Sequence, residues 1–476
     1  MTSIRIVSRL QNWLRPAAVD RLPVPLNMEP SRLPRFVRDS PTAMRYYWLL
    51  SPLRWHRFPE RDLQQYRYCP PVPYAPFAGA CLVKLEEQIP TVAKLRRYLL
   101  EHPALTWLLG FPVVPSRAFP WHFDVDASLP TARHLTSMLR TLPNRSLQFL
   151  LDETVFCLQA ALAPYIRGFG QIISLDTKHI LAWVKENNPK TFVKDRYDKY
   201  RQPAGDPDCR LGCKRKHNQP SSTPTSNPRP ATGTPVGDYY WGYASGVIVT
   251  KVPGWAEIVL AELTQPFNAP DVSYFFPLMK ETERRLGFRP RYATFDKAYD
   301  AFYIYAHFHR PGTSWRSAFA AVPRKRGKPR HFDAEGLPLC EAGLPMPLKS
   351  TFINRTSYVE HERGRYGCPL HYPEVVADAC PVEDPHWEKG GCTTTMPTSI
   401  GARLRHQIDR ESELYKKIYN QRSATERINS QAKALGIERP KLRNGQAIAN
   451  FNTLIYVLIN LRALQRIEDK IAKIQN

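Results

Sequence analysis

Two short apolar runs in this chain each stop on an aspartate: QIISL at 171–175 before Asp176, and RYATF at 291–295 before Asp296. Runs this short and this apolar read as buried strands. A carboxylate at a strand end is held rigidly at the sheet edge, where open α/β folds build their sites. Taken singly, either acid is also an ordinary turn-capping aspartate. Further strand patterns lie at YYWGYASGV, at IVTKVPG and at AFAAVP (318–323), separated by helical patterns at about Val272–Leu286 and about 299–309. Strands alternating with helices predict an α/β protein built on one mixed sheet.

Around this core the sequence divides by composition. Residues 1–84 are rich in Pro, Arg and aromatics with little periodicity, and read as an extended basic arm. Residues 85–165 read as a helical module, suited either to binding DNA ends or to packing as a layer. One helix runs from Thr91 to Leu109 and is broken by Pro103; another follows Ser128 as N-cap with Pro130 in its first turn; a third follows Asn144. The core comprises 166–323, its stretch at 201–236 being a flexible Pro/Ser/Thr-rich loop. Residues 324–398, rich in Cys, Gly and Pro, read as an insertion, and helical pattern returns at 399–476, from Asp409 to Leu435 and from Gln446 onward.

With 476 residues, of which 43% are hydrophobic, the chain can bury a substantial core. Its 67 Lys and Arg against 43 acids give a formal charge of +24, a field that draws polyanions and makes nucleic acid the expected partner. No run reaches the roughly 18 continuous apolar residues of a membrane span, and LIYVLINL at 454–461 reads as a core helix. The Arg-rich start does not resemble a secretory signal. Nine scattered Cys argue against a disulfide framework. Together these predict a soluble cytoplasmic protein.

The most informative segment is ELYKKIYNQRSATERINSQAKAL. On a continuous helix at about 100° per residue, Tyr419, Arg422 and Lys433 fall at about +20°, −40° and −20° from Glu426, one polar stripe. A solvated i, i+4 ion pair between Arg422 and Glu426 is the plain explanation, worth about 0.2–0.5 kcal/mol. The chemical explanation adds Glu426 to Asp176 and Asp296 as a third carboxylate for divalent ions. Two such ions activate an attacking oxygen, stabilise a leaving oxygen and neutralise charge on phosphorus, and hard Mg²⁺ prefers a few carboxylate oxygens. Asp300 is set aside for Asp296 because it falls inside the following helix. Glu438 is set aside for Glu426 because it lies about 120° around the helix.

Tyr419-x2-Arg422-x3-Glu426-x6-Lys433 resembles the Tyr-Arg-Glu-Lys signature of bacterial insertion-sequence transposases of the Asp-Asp-Glu type. Asp176 in ISLDTKHI looks like the first aspartate of that family, and Asp296 in ATFDKAYDAF the second, with Ala298 where the family usually has glycine. The resemblance spans roughly 170–465. It implies a ribonuclease-H-like sheet and an insertion before the last catalytic helix. It also implies two Mg²⁺ (or Mn²⁺) ions on Asp176, Asp296 and Glu426, and DNA cleavage followed by strand transfer, with a homodimer holding two element ends. Tyr419, Arg422 and Lys433, with the basic clusters Lys214-Arg215-Lys216 and Arg324-Lys325-Arg326, are the expected DNA contacts. A ribonuclease-H-like nuclease without strand transfer and a non-catalytic DNA-binding relative stand as alternatives. Structural Zn²⁺ is a minor expectation, at Cys209-x3-Cys213-x3-His217 or at Cys340, Cys368, Cys380 and Cys392 of the insertion, with buried free thiols as the simpler reading.

Overall fold

The computed structural model describes residues 24–61, 72–215, 237–325, 327 and 329–475. The described part of the expected N-terminal arm is folded, not extended. Its prolines start helical turns: Pro25 and Pro30 open 3-10 turns, Pro41 occupies the first turn of α1 (Pro41–Leu50), and Pro73 precedes α2 (Tyr74–Glu86). A first-turn position needs no backbone N–H and suits the fixed φ of proline. The aromatics are core, with Tyr46, Trp55 and Phe77 fully buried.

Pro103 divides α3 (Val92–Glu101) from α4 (Pro103–Leu108), as expected. The next long helix, α5 (Ala132–Thr141), is capped by Thr131 rather than Ser128, because Ser128 closes a separate one-turn helix and accepts a hydrogen bond from the Val114 amide. Helix α6 (Asn144–Leu162) follows. These helices pack into a hydrophobic core that also takes in part of the sheet and the last helix, and α6 extends into a second core as well.

The main sheet holds β1 (Ile172–Leu181), β2 (Arg210–Arg215), β3 (Gly237–Val252), β4 (Ala256–Pro266), β5 (Tyr292–Thr294) and β6 (Phe319–Ala321). YYWGYASGV and IVTKVPG are one strand, β3, because the first turn signal is Pro253-Gly254. Gly254 takes φ +76°, and the chain reverses there into β4. Strand β3 pairs antiparallel with β1 on one edge, and with β2 and then β4 on the other. On its free side β1 runs parallel to β5, and β5 parallel to β6. Helix α7 (Phe275–Leu286) leads into β5, and α8 (Phe302–Phe308) connects β5 to β6. The result is a mixed sheet flanked by helices.

Residues 324–398 form a separate three-stranded antiparallel sheet, β7 (Leu348–Asn354), β8 (His361–Tyr366) and β9 (Thr394–Pro397). Beyond it, α9 (Ile400–Gln407) lies on α8 at Gly401, where a Cβ would stand 1.9 Å from the Phe302 carbonyl oxygen. The segment expected as one helix from Asp409 to Leu435 is two, α10 (Glu413–Tyr419) and α11 (Ser423–Ala434), joined by a 3-10 turn at Asn420–Arg422. Helix α12 (Gly445–Gln475) is long and apolar enough to cross a membrane by length and composition alone. In the fold, 83% of its apolar window is buried, with every residue of 454–461 in the core.

Candidate active site

The register of β1 explains where an opening forms. Its parallel pairing with β5 covers only Ile172 to Ser174, because β5 ends at Thr294. Beyond Ser174, β1 continues with β3 alone beside it. Asp176 therefore sits mid-strand, not at the strand end expected from sequence. It lies just past the point where the parallel neighbour stops, at the carboxyl edge where α/β sheets open. Asp296 comes just after β5, on the same edge. It caps the turn Lys297–Tyr299, its carboxylate accepting from the Ala298 amide at 2.8 Å.

Asp296 lies close enough to Asp176 for its charge to resist ionisation of the Asp176 carboxyl. Burial pushes the Asp176 carboxyl up to about 6, with the charges of Asp296 and Asp271 adding to the rise and the Thr177 amide and Arg422 opposing it. Burial likewise raises Asp296, with Asp271 adding and the Ala298 amide and Arg422 opposing. Asp271 is a third acid of the cluster that sequence reasoning missed. It accepts a hydrogen bond from the Thr177 hydroxyl at 3.0 Å and is raised by burial. At the start of a helical turn after Pro270 it looks like an ordinary helix-opening acid, so nothing in its local sequence set it apart. Tyr299 is buried against the same three carboxylates, and its hydroxyl has no hydrogen-bond partner.

Across the opening lie the 3-10 turn and α11. Asn429, the helix residue that reaches Asp176, donates to its carboxylate at 3.1 Å and leaves its own Oδ1 buried and unpartnered. Glu426, one turn earlier, is more than half exposed and accepts from Arg422 at 2.5 Å. Arg422 thus links the glutamate to the aspartates, whose charges it opposes. Among the described residues, no group of three or more His, Cys, Asp or Glu side chains already stands in a ligating arrangement.

The expected four-residue stripe is not continuous. The 3-10 turn separates Tyr419, at the end of α10, from the rest. Tyr419 stacks on Tyr415 at 5.9 Å. Lys433 pairs with Glu438 at 3.5 Å, and Glu438 also holds Lys178 at 2.5 Å. This accounts for Glu438 as a lysine partner, and Gly436 (φ +89°) follows the helix end. Asp300 lies between turn and helix rather than inside the helix. Burial alone would raise it, but Arg405 at 2.6 Å, the Lys325 amide and the Tyr305 hydroxyl hold it below the usual carboxylate range. It is a structural ion pair.

Arg324 and Lys325 join Arg410, Tyr415 and Tyr419 around an open cleft of about 470 Å³, and Lys325 lies within the field of Asp271. Lys214 is exposed on β2, Arg215 ends that strand, and Lys216 and Arg326 lie outside the described residues. Cys209 is buried and its thiol donates to the Asp206 carbonyl, while His217 of the same motif lies outside the described residues.

The fold and site define an α/β protein whose mixed sheet carries a buried cluster of carboxylates at the end of its parallel strands. Compared with known protein families and with curated proteins, the chain matches none.

Proposed function

We propose that this chain is a DNA transposase that cleaves and joins phosphodiester bonds with Mg²⁺ or Mn²⁺. The observation that carries the reading is the meeting of Asp176 on β1 with Asp296 just after the neighbouring β5, beneath the helix of Glu426. Four antiparallel strands followed by two parallel ones, with Asp176 on β1 and Asp296 just after its parallel neighbour β5, support a ribonuclease-H-like assignment.

The residues present suit divalent ions. The donors are hard carboxylate oxygens, and their affinities for protons are raised by burial and by neighbouring acids, a state that a cation relieves. Two polar atoms, the Tyr299 hydroxyl and Asn429 Oδ1, are buried beside them without partners. Asp176 and Asp296 would hold the ions, with Glu426 as third ligand once released from Arg422. When bound, two such ions activate the attacking oxygen and stabilise the leaving one. The protein's own part is to fix the carboxylates through the Asn429 and Ala298 hydrogen bonds. Arg422, freed from Glu426, and the Arg324–Lys325 side of the cleft are placed to take DNA phosphates. A homodimer would hold two DNA ends, in a cytoplasmic setting.

The test uses DNA carrying the sequences that flank the gene, with Mg²⁺. Wild type is expected to cleave and to join ends to a target, whereas Asp176→Asn, Asp296→Asn and Glu426→Gln bind DNA and leave it intact. Cleavage by Glu426→Gln would remove that glutamate from the site. Cleavage without joining would identify a nuclease. The Arg422–Glu426 pair favours one other reading, a non-catalytic DNA-binding relative, which requires binding without cleavage in the wild type.

A further inference from the structure

The sheet at 324–398 lacks the apolar interior needed to hold itself together. Its core consists of Met346, Tyr366 and Met396 packed with Ala402, and β7 is exposed along nearly its whole length. Fully buried side chains of this kind contribute about 1.5–3 kcal/mol each, against about 1.5 kcal/mol of conformational entropy for every ordered residue. Segments with so small a core are commonly stapled by disulfides or a metal.

The means for a staple are in place. Cys340, Cys368, Cys380 and Cys392, far apart in sequence, line one cavity of about 10 Å³ together with Asp384, room for about one water molecule or ion. The Cys368 and Cys340 thiols both lie within interaction range of Cys392. Three of the four stand at tight turns: the carbonyls of Cys340, Cys368 and Cys380 accept from the amides of Gly343, His371 and Glu383 at 3.0, 3.2 and 3.1 Å. The loop before Cys392 needs its glycines. Gly390 and Gly391 take φ of +92° and +73°, and a Cβ on Gly391 would lie 2.9 Å from the Cys368 sulfur. Only a bare backbone lets Cys392 come so near its partners.

We propose that Cys340, Cys368, Cys380 and Cys392 bind one structural zinc ion. Four thiolates fill the tetrahedral shell of Zn²⁺ and leave no open position, as in structural sites. The four thiols lose four protons as four sulfur–zinc bonds form. The thiols are not yet in ligating arrangement, so closure takes rotation between staggered side-chain rotamers. The proposal is independent of the chemistry at Asp176, because it concerns only the integrity of the insertion.

The test is the full chain, purified under reducing conditions without metal-affinity steps. Elemental analysis is expected to find one zinc per chain, with four of the nine cysteines resisting alkylation until a chelator is added. Cobalt replacing zinc should show an intense near-ultraviolet thiolate-to-cobalt band, which carboxylate sites cannot give. Cys380→Ser and Cys392→Ser should each lower zinc content at least tenfold, and Cys213→Ser, outside the insertion, should leave it unchanged. Folded wild type without zinc and with all four thiols freely alkylated would overturn the proposal, as would a Cys368–Cys392 disulfide found by mass spectrometry. Should the serine variants fail to fold, the alkylation and cobalt measurements on wild type decide alone.

Discussion

Asp176 is held in a state that costs the folded protein free energy. Its carboxyl, pushed up to about 6 first by burial and then by its acidic neighbours, titrates well above its ordinary value of 3.8. The unfolded chain therefore gives up this proton earlier as pH rises. Its contribution to stability is fully present below about pH 4 and is lost as pH climbs through about 6. At about 1.4 kcal/mol per tenfold change in proton affinity, the cost at pH 7 is at most about 3 kcal/mol, and partial exposure of the residue lowers it. Asp176→Asn keeps the shape and removes the charge. Without divalent ions at pH 7 it is expected to be more stable than wild type by up to that amount, and at pH 4 to show no gain. Adding Mg²⁺ should stabilise wild type and leave the variant unmoved. Urea unfolding at the two pH values, with and without Mg²⁺, checks all three, and an equal Mg²⁺ response in both proteins would take Asp176 out of any ion site.

One element, α9, ties the active-site turn to the insertion. It lies against α8 through Gly401, and it carries Arg405, which holds Asp300 just beyond the Asp296 turn. In Gly401→Ala the new methyl would meet the Phe302 carbonyl and the Ala306 amide, backbone atoms that cannot turn aside, so α9 must move off α8. Overpacking of this kind costs about 1–3 kcal/mol. The expected result is a lower denaturation midpoint together with weaker DNA cleavage, since the Arg405–Asp300 pair moves with the helix; a variant with unchanged midpoint would show that the two helices part freely. At this scale much was legible in the sequence. The apolar runs before Asp176 and Asp296, the helix break at Pro103 and the buried nature of 454–461 all follow from local pattern. What escaped depends on partners distant in the chain. Pro25, Pro30, Pro41 and Pro73 look like breakers until the helical turns they open have a core to pack on. Asp176 looks terminal because its strand turns polar beyond it, although the β1–β3 ladder carries on to Leu181. Asp271 joins the site only through the folding of its turn onto Thr177. The glutamate helix was recognised, but its stripe assumed a regular helix through Asn420–Arg422, where a 3-10 turn interrupts it.

The whole molecule is organised around α12, which packs against α2, α5, α6 and the sheet at once. Polar side chains fix this arrangement from within. Asn460 accepts from the Val259 amide and donates to its carbonyl and to the Thr154 hydroxyl, all at 2.9 Å, joining β4, α6 and α12 in one buried knot. Asn450 donates to the Leu139 and Leu142 carbonyls at the end of α5. Along α6, Leu147, Leu150 and Leu151 belong to the core beneath the N-terminal helices, and Val155, Leu158 and Leu162 to the core on the other side of the sheet. Burying six such side chains contributes about 9–18 kcal/mol, comparable to the whole net stability of about 5–15 kcal/mol that folded proteins retain. A chain cut to 166–476 keeps every carboxylate of the candidate site, yet it exposes α12 and β4 and leaves Asn460 without one of its partners. That fragment is expected to lose cooperative unfolding, to aggregate, and to lack DNA cleavage, whereas the intact chain unfolds in a transition that includes the N-terminal helices. Calorimetry and size-exclusion of the two forms separate the possibilities: a soluble fragment with its own sharp transition would mean that the helices of 85–165 are a module after all, and that the sheet holds its shape without them.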